Sequence, residues 1–170
     1  IDRLGFFESV TVDTPAVPSA PDQVDVNVTV KERATGNIQL GAGYSSAEGL
    51  VLSAGISQQN LFGSGNALSL EINTSEANRV IAMAHTDPYG TTEGISRSGE
   101  IFYRDSDLAE LGLASVGYST LGGGLTYGVP FTEFDRVFFG LRYEDTTIEL
   151  TPFSPLRYVD YVRQFGETSD

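Results

Sequence analysis

Few side chains in these 170 residues could make or break bonds. Cysteine is absent, which removes thiolate nucleophiles, thiolate zinc sites and disulfide scaffolds. The single histidine, His85, excludes a multi-histidine metal site, and it stands in a strand two residues ahead of an Asp87-Pro88-Tyr89-Gly90 turn. Serine and aspartate occur, but no Gly-x-Ser-x-Gly elbow presents a nucleophile. Gly63-Ser64-Gly65 is not followed by Gly-Lys-Ser/Thr, so it reads as a turn and not as a phosphate loop. The expectation is a protein that is not an enzyme, with no cofactor and no metal. The chemistry that remains is backbone hydrogen bonding at a sheet edge, and it depends on which elements the chain builds.

Composition bounds those elements. The net charge is −13 and lysine occurs once, at Lys31, which argues against a nucleic-acid partner because phosphate binding needs a basic face. Apolar residues never run long enough to make a membrane-spanning helix, yet a transmembrane barrel hides its apolar face in alternation and is not excluded. Glycine numbers 19 and Tyr plus Phe 18, with no Trp, which is a composition of turns and closely spaced strands shared by soluble sandwiches and barrels. The chain opens without a charged-then-apolar leader, so it is expected to be a mature or excised segment.

Residues 1–35 differ from the rest. Ile1–Leu4 read as a last helical turn stopped by Gly5, which can adopt the left-handed cap conformation. Ser9–Asp13 alternate, Pro15, Pro18 and Pro21 break the pattern, and Val24, Val26, Val28 and Val30 then mark a half-buried strand. From Gly36 onward a train of hairpins follows. Strands are expected at 36–44, 50–57, 68–73, 79–87, 95–104, 121–129 and 136–144, with Ile81, Met83 and His85 on one face of the fourth, although Val80, Ala82 and Ala84 leave its phase open. Residues 151–170, with Pro152, Pro155 and no strand pattern, read as part of a long surface loop.

Seven strands of 8–10 residues suit a tilted bilayer crossing. The polar faces hold Glu71, Glu100, Arg104, Arg136, Arg142 and Glu144, while the phased apolar faces carry no charge. Alternation alone fits a sandwich equally well. Mixed-sign charge on the polar face and aromatics near strand ends (Tyr44, Phe62, Tyr89, Tyr103, Tyr127, Phe131, Phe134, Tyr143) favour the barrel. Seven strands would leave bare edges, which lipid does not tolerate, so the sheet is expected to continue beyond this segment.

The segment Asp22–Arg33, with its valine alternation ending in Glu32-Arg33, followed by Thr35-Gly36 and Gly41-Ala42-Gly43-Tyr44-Ser45, resembles the junction of a last POTRA domain and a barrel in the POTRA-plus-β-barrel family of bacterial outer-membrane proteins. Leu4–Val10, Ser57–Asn66, Thr86–Tyr89 and Gly128–Phe131 resemble, in order, the end of that domain and the first three periplasmic turns of the barrel. The resemblance implies a mainly β fold, an antiparallel up-and-down transmembrane β-barrel segment of about seven strands out of 16, preceded by the C-terminal part of an α+β POTRA domain. It implies domains at 1–35 (periplasmic POTRA part), 36–150 (barrel strands) and 151–170 (part of an extracellular loop). It implies outer-membrane location and a role in folding and inserting β-barrel clients, with accessory lipoproteins and outer-membrane lipid as further partners. The alternative within the superfamily is a secretion or translocation pore exporting one partner protein.

The implied site is the first barrel strand, Gly36, Asn37, Ile38, Gln39, Leu40, Gly41, Ala42, Gly43 and Tyr44, which would pair with a client strand at a lateral gate. Read from the residues alone, its glycines either weaken a seam or ease barrel curvature.

Overall fold

The computed structural model describes residues 5–18, 20–112, 115–132 and 135–169, in two compact units, Ile1–Gly36 and Asn37–Asp170. The expected helical turn at Ile1–Leu4 and the aromatic Phe134 lie outside the described residues. Gly5 does adopt the left-handed conformation, at φ 71°.

In the first unit, β1 (Phe7–Asp13) pairs antiparallel with β4 (Asn27–Glu32), setting Val10 opposite Val30 and Val12 opposite Val28. The proline-rich connection contains a small hairpin of its own, β2 (Ala16–Val17) with β3 (Ala20–Val24). That hairpin corrects the expectation of one continuous strand from Val24. The Asp25 N–H donates to the Pro15 carbonyl at 3.0 Å, which turns the chain before β4 begins. The expected burial also fails, since Val28 and Val30 remain 41% and 40% exposed and no second layer covers them among the described residues.

The second unit is one antiparallel sheet in which every strand pairs with its sequence neighbour: β5 (Gly36–Ser45), β6 (Gly49–Gln58), β7 (Ala67–Thr74), β8 (Asn78–Asp87), β9 (Ser96–Asp107), β10 (Val116–Pro130) and β11 (Arg136–Leu150). A two-residue strand, β12 (Thr168–Ser169), adds to the far side of β11. The fold is mainly β and the sheet is not closed. β10 and β11 are longer than expected, at 15 residues each. The extensions carry Val116 and Thr120 on β10 and Thr146, Thr147 and Ile148 on β11, and Thr120 Oγ1 meets Thr146 Oγ1 at 3.0 Å across the ladder.

The 151–170 stretch is not structureless. It holds α1 (Leu156–Phe165), which the sequence pattern had not shown. Pro155 precedes the helix with φ −58°, an angle suited to helix initiation, and Tyr158, Val159 and Val162 form its half-buried stripe. Gly166 ends it with φ 93° while its N–H reaches the Val162 carbonyl at 2.8 Å.

Register settles the phase of β8. Leu68 faces His85, Leu70 faces Met83 and Ile72 faces Ile81, so Ile81, Met83 and His85 share the apolar face as expected. Continuing across the ladders gives one row Leu68–His85–Gly99–Leu125–Leu141, a second Leu70–Met83–Ile101–Gly123–Tyr143, and a third Ile72–Ile81–Tyr103–Leu121–Asp145. Charges on this face gather at its two ends, Arg79, Asp105 and Asp145 at one and Asp87 and Arg97 at the other. The Tyr127 row already carries Arg97 and Asp87, so across β8, β9 and β10 the band free of charge runs from Leu121 to Leu125, about 13 Å along the strand.

Burial decides between sandwich and membrane sheet. Among the described residues the only buried side chains are those of Ala77, Phe102, Val116, Ser96 and Thr120, with three β10 glycines (Gly117, Gly122 and Gly128) buried beside them, while Leu40 and Leu141 are 82% and 86% exposed. Among the described residues of the second unit no further sheet packs on the apolar face, and an uncovered apolar face of this extent suits lipid. No helix among the described residues is long and apolar enough to cross a membrane, which says nothing against crossing by strands.

Candidate functional site: the first strand of the sheet

All nine residues singled out in the sequence, Gly36 to Tyr44, lie on β5, and all are exposed. β5 is the last strand in the sheet order, hydrogen-bonded to β6 on one side only. About half of its backbone N–H and C=O groups therefore point away from the sheet, since an antiparallel strand directs its bonds alternately to either side.

The two faces of β5 follow from its contacts with β6. A Cβ built on Gly41 would meet Ser53 Oγ, and one on Gly55 would approach Gln39 Cβ at 3.9 Å. Gln39 and Gly41 thus share the polar face with Ser53 and Gly55, and Ile38, Leu40, Ala42 and Tyr44 fall on the apolar face. Gly41 has a nearby steric reason to lack a side chain, whereas Gly43 has nothing within 4 Å. Beside β5 the polar face forms a shallow groove of about 240 Å³, where Asn37, Gln39, Ser53, Ser69, Glu71 and Asn73 offer donors and acceptors. Within it, Asn73 Nδ2 donates to Glu71 Oε1 at 2.6 Å.

The turn after β6 is tightly specified. Asn60 and Phe62 take left-handed conformations at φ 59° and 52°, and the Asn60 Oδ1 accepts the Gly65 N–H at 2.8 Å. Leu61 N–H donates to the Asn66 carbonyl at 2.7 Å and Ser64 Oγ to the Leu61 carbonyl at 2.6 Å. This network fixes how β6 returns as β7, and hence the support on which β5 rests.

A polar cluster on the same face escaped the sequence reading. Phe102, only 5% exposed, packs over Gly122, with the Arg104 and Arg142 guanidinium carbons 4.5 and 4.6 Å from its ring centroid. Arg142 also bridges Glu100 through Nη1 at 3.1 Å and Glu144 through Nε at 2.5 Å. Alternation had placed Glu100, Arg104, Arg142 and Glu144 on one face, but only register brings those of β9 and β11 together across β10. No cluster of side chains able to hold a metal occurs among the described residues.

A family model described as the Omp85 superfamily domain matches residues 60–169, the greater part of the chain. The chain belongs to the Omp85 superfamily. The outer membrane protein assembly factor BamA of Neisseria meningitidis serogroup B is 36% identical over 170 residues, covering 99% of this chain and 21% of that protein. BamA of Buchnera aphidicola is 25% identical over 148 residues, covering 87% and 24%. The crystal structure of BamA from Haemophilus ducreyi lacking POTRA domains 1–3 superposes with a TM-score of 0.75 at 35% identity, over 95% of this chain and 30% of that one. This Omp85 chain thus spans about a fifth to a quarter of the length of these two BamA sequences. Its location is the bacterial outer membrane, as for its BamA relatives.

Proposed function

We propose that the protein carrying this Omp85 segment folds and inserts β-barrel clients into the outer membrane, and that β5 is the edge on which a client strand is templated. The observation that supports this reading is that β5 is the first strand of the sheet in chain order, exposed along its length, with an apolar face that continues that of the whole sheet, so the closing seam of a barrel lies along it. Strand addition suits a machine with many clients, because backbone hydrogen bonds give affinity with little dependence on sequence. In the complete barrel of 16 strands β5 meets the last strand, and the seam between them is the lateral gate. The lack of any steric need for glycine at Gly43 supports a seam chosen for pliancy over one packed for strength.

In the orientation that follows, residues 1–35 are the end of the last POTRA domain on the periplasmic side. The turns at 59–66, 88–95 and 131–135 are periplasmic, and 151–170, with α1, lies outside the cell. Accessory lipoproteins of the assembly complex are the partners expected on the periplasmic side, and lipid against the apolar face.

Two adjacent proline substitutions test the gate in the full-length protein. N–H groups of neighbouring residues point to opposite sides of a strand, so of Leu40→Pro and Gly41→Pro one removes a donor at the free edge and the other a bond to β6. The edge-side variant should fold, as judged by heat-modifiable migration of its own barrel, and yet lose client assembly. Normal client assembly by a folded edge-side variant would overturn templating, and loss of export of a single partner with client assembly intact would point to a secretion pore.

A further inference from the structure

We propose that the apolar face carries a binding site for one zwitterionic, amine-bearing phospholipid of the leaflet nearest turns 59–66 and 88–95. The inference rests on the reading that this face meets lipid, and names the lipid class and the place.

Gly99 and Gly123 stand on adjacent strands in neighbouring rows of the apolar face, and the missing side chains leave a furrow of about 580 Å³ framed by Met83, Ile101, Leu125, Leu141 and Tyr143. A Cβ on Gly123 would lie 3.0 Å from the Glu100 carbonyl oxygen, so the furrow cannot be filled from that position without moving backbone. The volume falls within the range of small-molecule sites, about 300–1,000 Å³, and an acyl chain matches the apolar walls.

The furrow runs into a second hollow of about 290 Å³, with which it shares His85, Gly99 and Leu125. Here the lining becomes polar: Asn66, Asp87, Arg97 and Tyr127. Arg97 Nη2 donates to Asp87 Oδ2 at 2.8 Å, and Asp87 Oδ1 accepts the Tyr89 N–H at 3.2 Å. The arginine side chain is still 55% exposed, with most of its five N–H donors left for a phosphate. The carboxylate beside it would take an ammonium. A cation and an anion side by side complement a headgroup carrying phosphate and amine together, whereas a purely anionic headgroup would meet Asp87 with like charge. Charged residues on a lipid face are costly away from the interface, and this pair sits where the uncharged band ends.

The test uses the full-length protein, purified in detergent, stripped of lipid and titrated with phosphatidylethanolamine or phosphatidylglycerol while bound lipid is counted by native mass spectrometry. The wild type should retain one phosphatidylethanolamine in preference to phosphatidylglycerol. Arg97→Gln should weaken its retention about tenfold, the value of a lost charge-assisted hydrogen bond. Asp87→Asn should shift preference toward phosphatidylglycerol, and Gly99→Phe should abolish retention, whereas Leu50→Phe, on the same face but off the furrow, should change nothing. Equal retention of both lipids, or retention indifferent to both Arg97→Gln and Asp87→Asn, overturns the site even if the barrel inserts normally into vesicles. A wild-type protein that does not insert into vesicles overturns the lipid-facing reading itself, and the site with it.

Discussion

Replacing Gly122 with alanine puts a methyl group where the Phe102 ring already lies. The ring cannot retreat freely, because Arg104 and Arg142 hold it at 4.5 and 4.6 Å and Arg142 is itself tied to Glu100 and Glu144. Overpacking of this kind costs about 1–3 kcal/mol. Displacing the ring also weakens two exposed cation–π contacts worth about 0.5–1 kcal/mol each. Against this, alanine regains about 0.5–1 kcal/mol of the backbone entropy that glycine loses in a strand. The net expectation is a loss of about 2 kcal/mol, since the terms opposing the substitution outweigh the entropy gain. The assay is urea unfolding of the full-length protein in lipid vesicles, with the folded fraction read from heat-modifiable migration. Gly43→Ala is the control, because nothing lies within 4 Å of the added methyl, and it should be neutral or slightly stabilising. Phe102→Leu should cost less in the Gly122→Ala background than alone, with a coupling of about 1 kcal/mol or more. If Gly122→Ala proves as stable as Gly43→Ala, the packing of Phe102 on Gly122 has been misjudged and the reasoning fails.

Three further outcomes are expected. Ile101→Arg, in the middle row of the apolar face, should cost about 2–4 kcal/mol of stability in bilayers, while Thr126→Arg on the opposite face should be tolerated; equal effects in vesicle-folding measurements would contradict the assignment of faces. Asn60→Ala forfeits the bond to Gly65 N–H and adds a less suited residue at φ 59°, so urea unfolding should show a loss of about 1–2 kcal/mol, with Asn60→Gly milder. Arg142→Gln breaks two half-exposed ion pairs, and the same titration should show a loss of about 1 kcal/mol or less, smaller in high salt.

The strand train was legible because a sheet with one apolar face writes a period of two into the sequence, and six of the seven strands were read within a residue of their observed starts. Two strand ends were not. β10 and β11 continue past the apolar band on Thr–Thr and backbone pairing, which hydrophobic alternation does not report. α1 was hidden by Pro152 and Pro155, which read as loop although proline before a first helical turn is a start signal. The β2/β3 hairpin was masked by valines spaced as though Val24 and Val28 shared one strand. Alternation on β8 was apolar on both faces, and only pairing with Leu68, Leu70 and Ile72 fixed it. The site divides in the same way. The position of Gly36–Tyr44 as first strand was readable in sequence order, but its bare edge and the reason for Gly41 needed the neighbour Ser53. The Phe102 cluster required three strands in register, a relation no local pattern carries.

The central claim is that the free edge of β5 pairs with a client strand. The segment contains no cysteine, so single cysteines can be placed along 36–44 of an otherwise cysteine-free full-length protein and paired with cysteines in the C-terminal strand of a client barrel. Disulfide trapping during assembly should give cross-links that step residue by residue in one antiparallel or parallel register along β5, and none from matching positions on β6, whose two sides are already occupied. Cross-links absent from β5, or scattered equally over β5 and β6, would contradict the account.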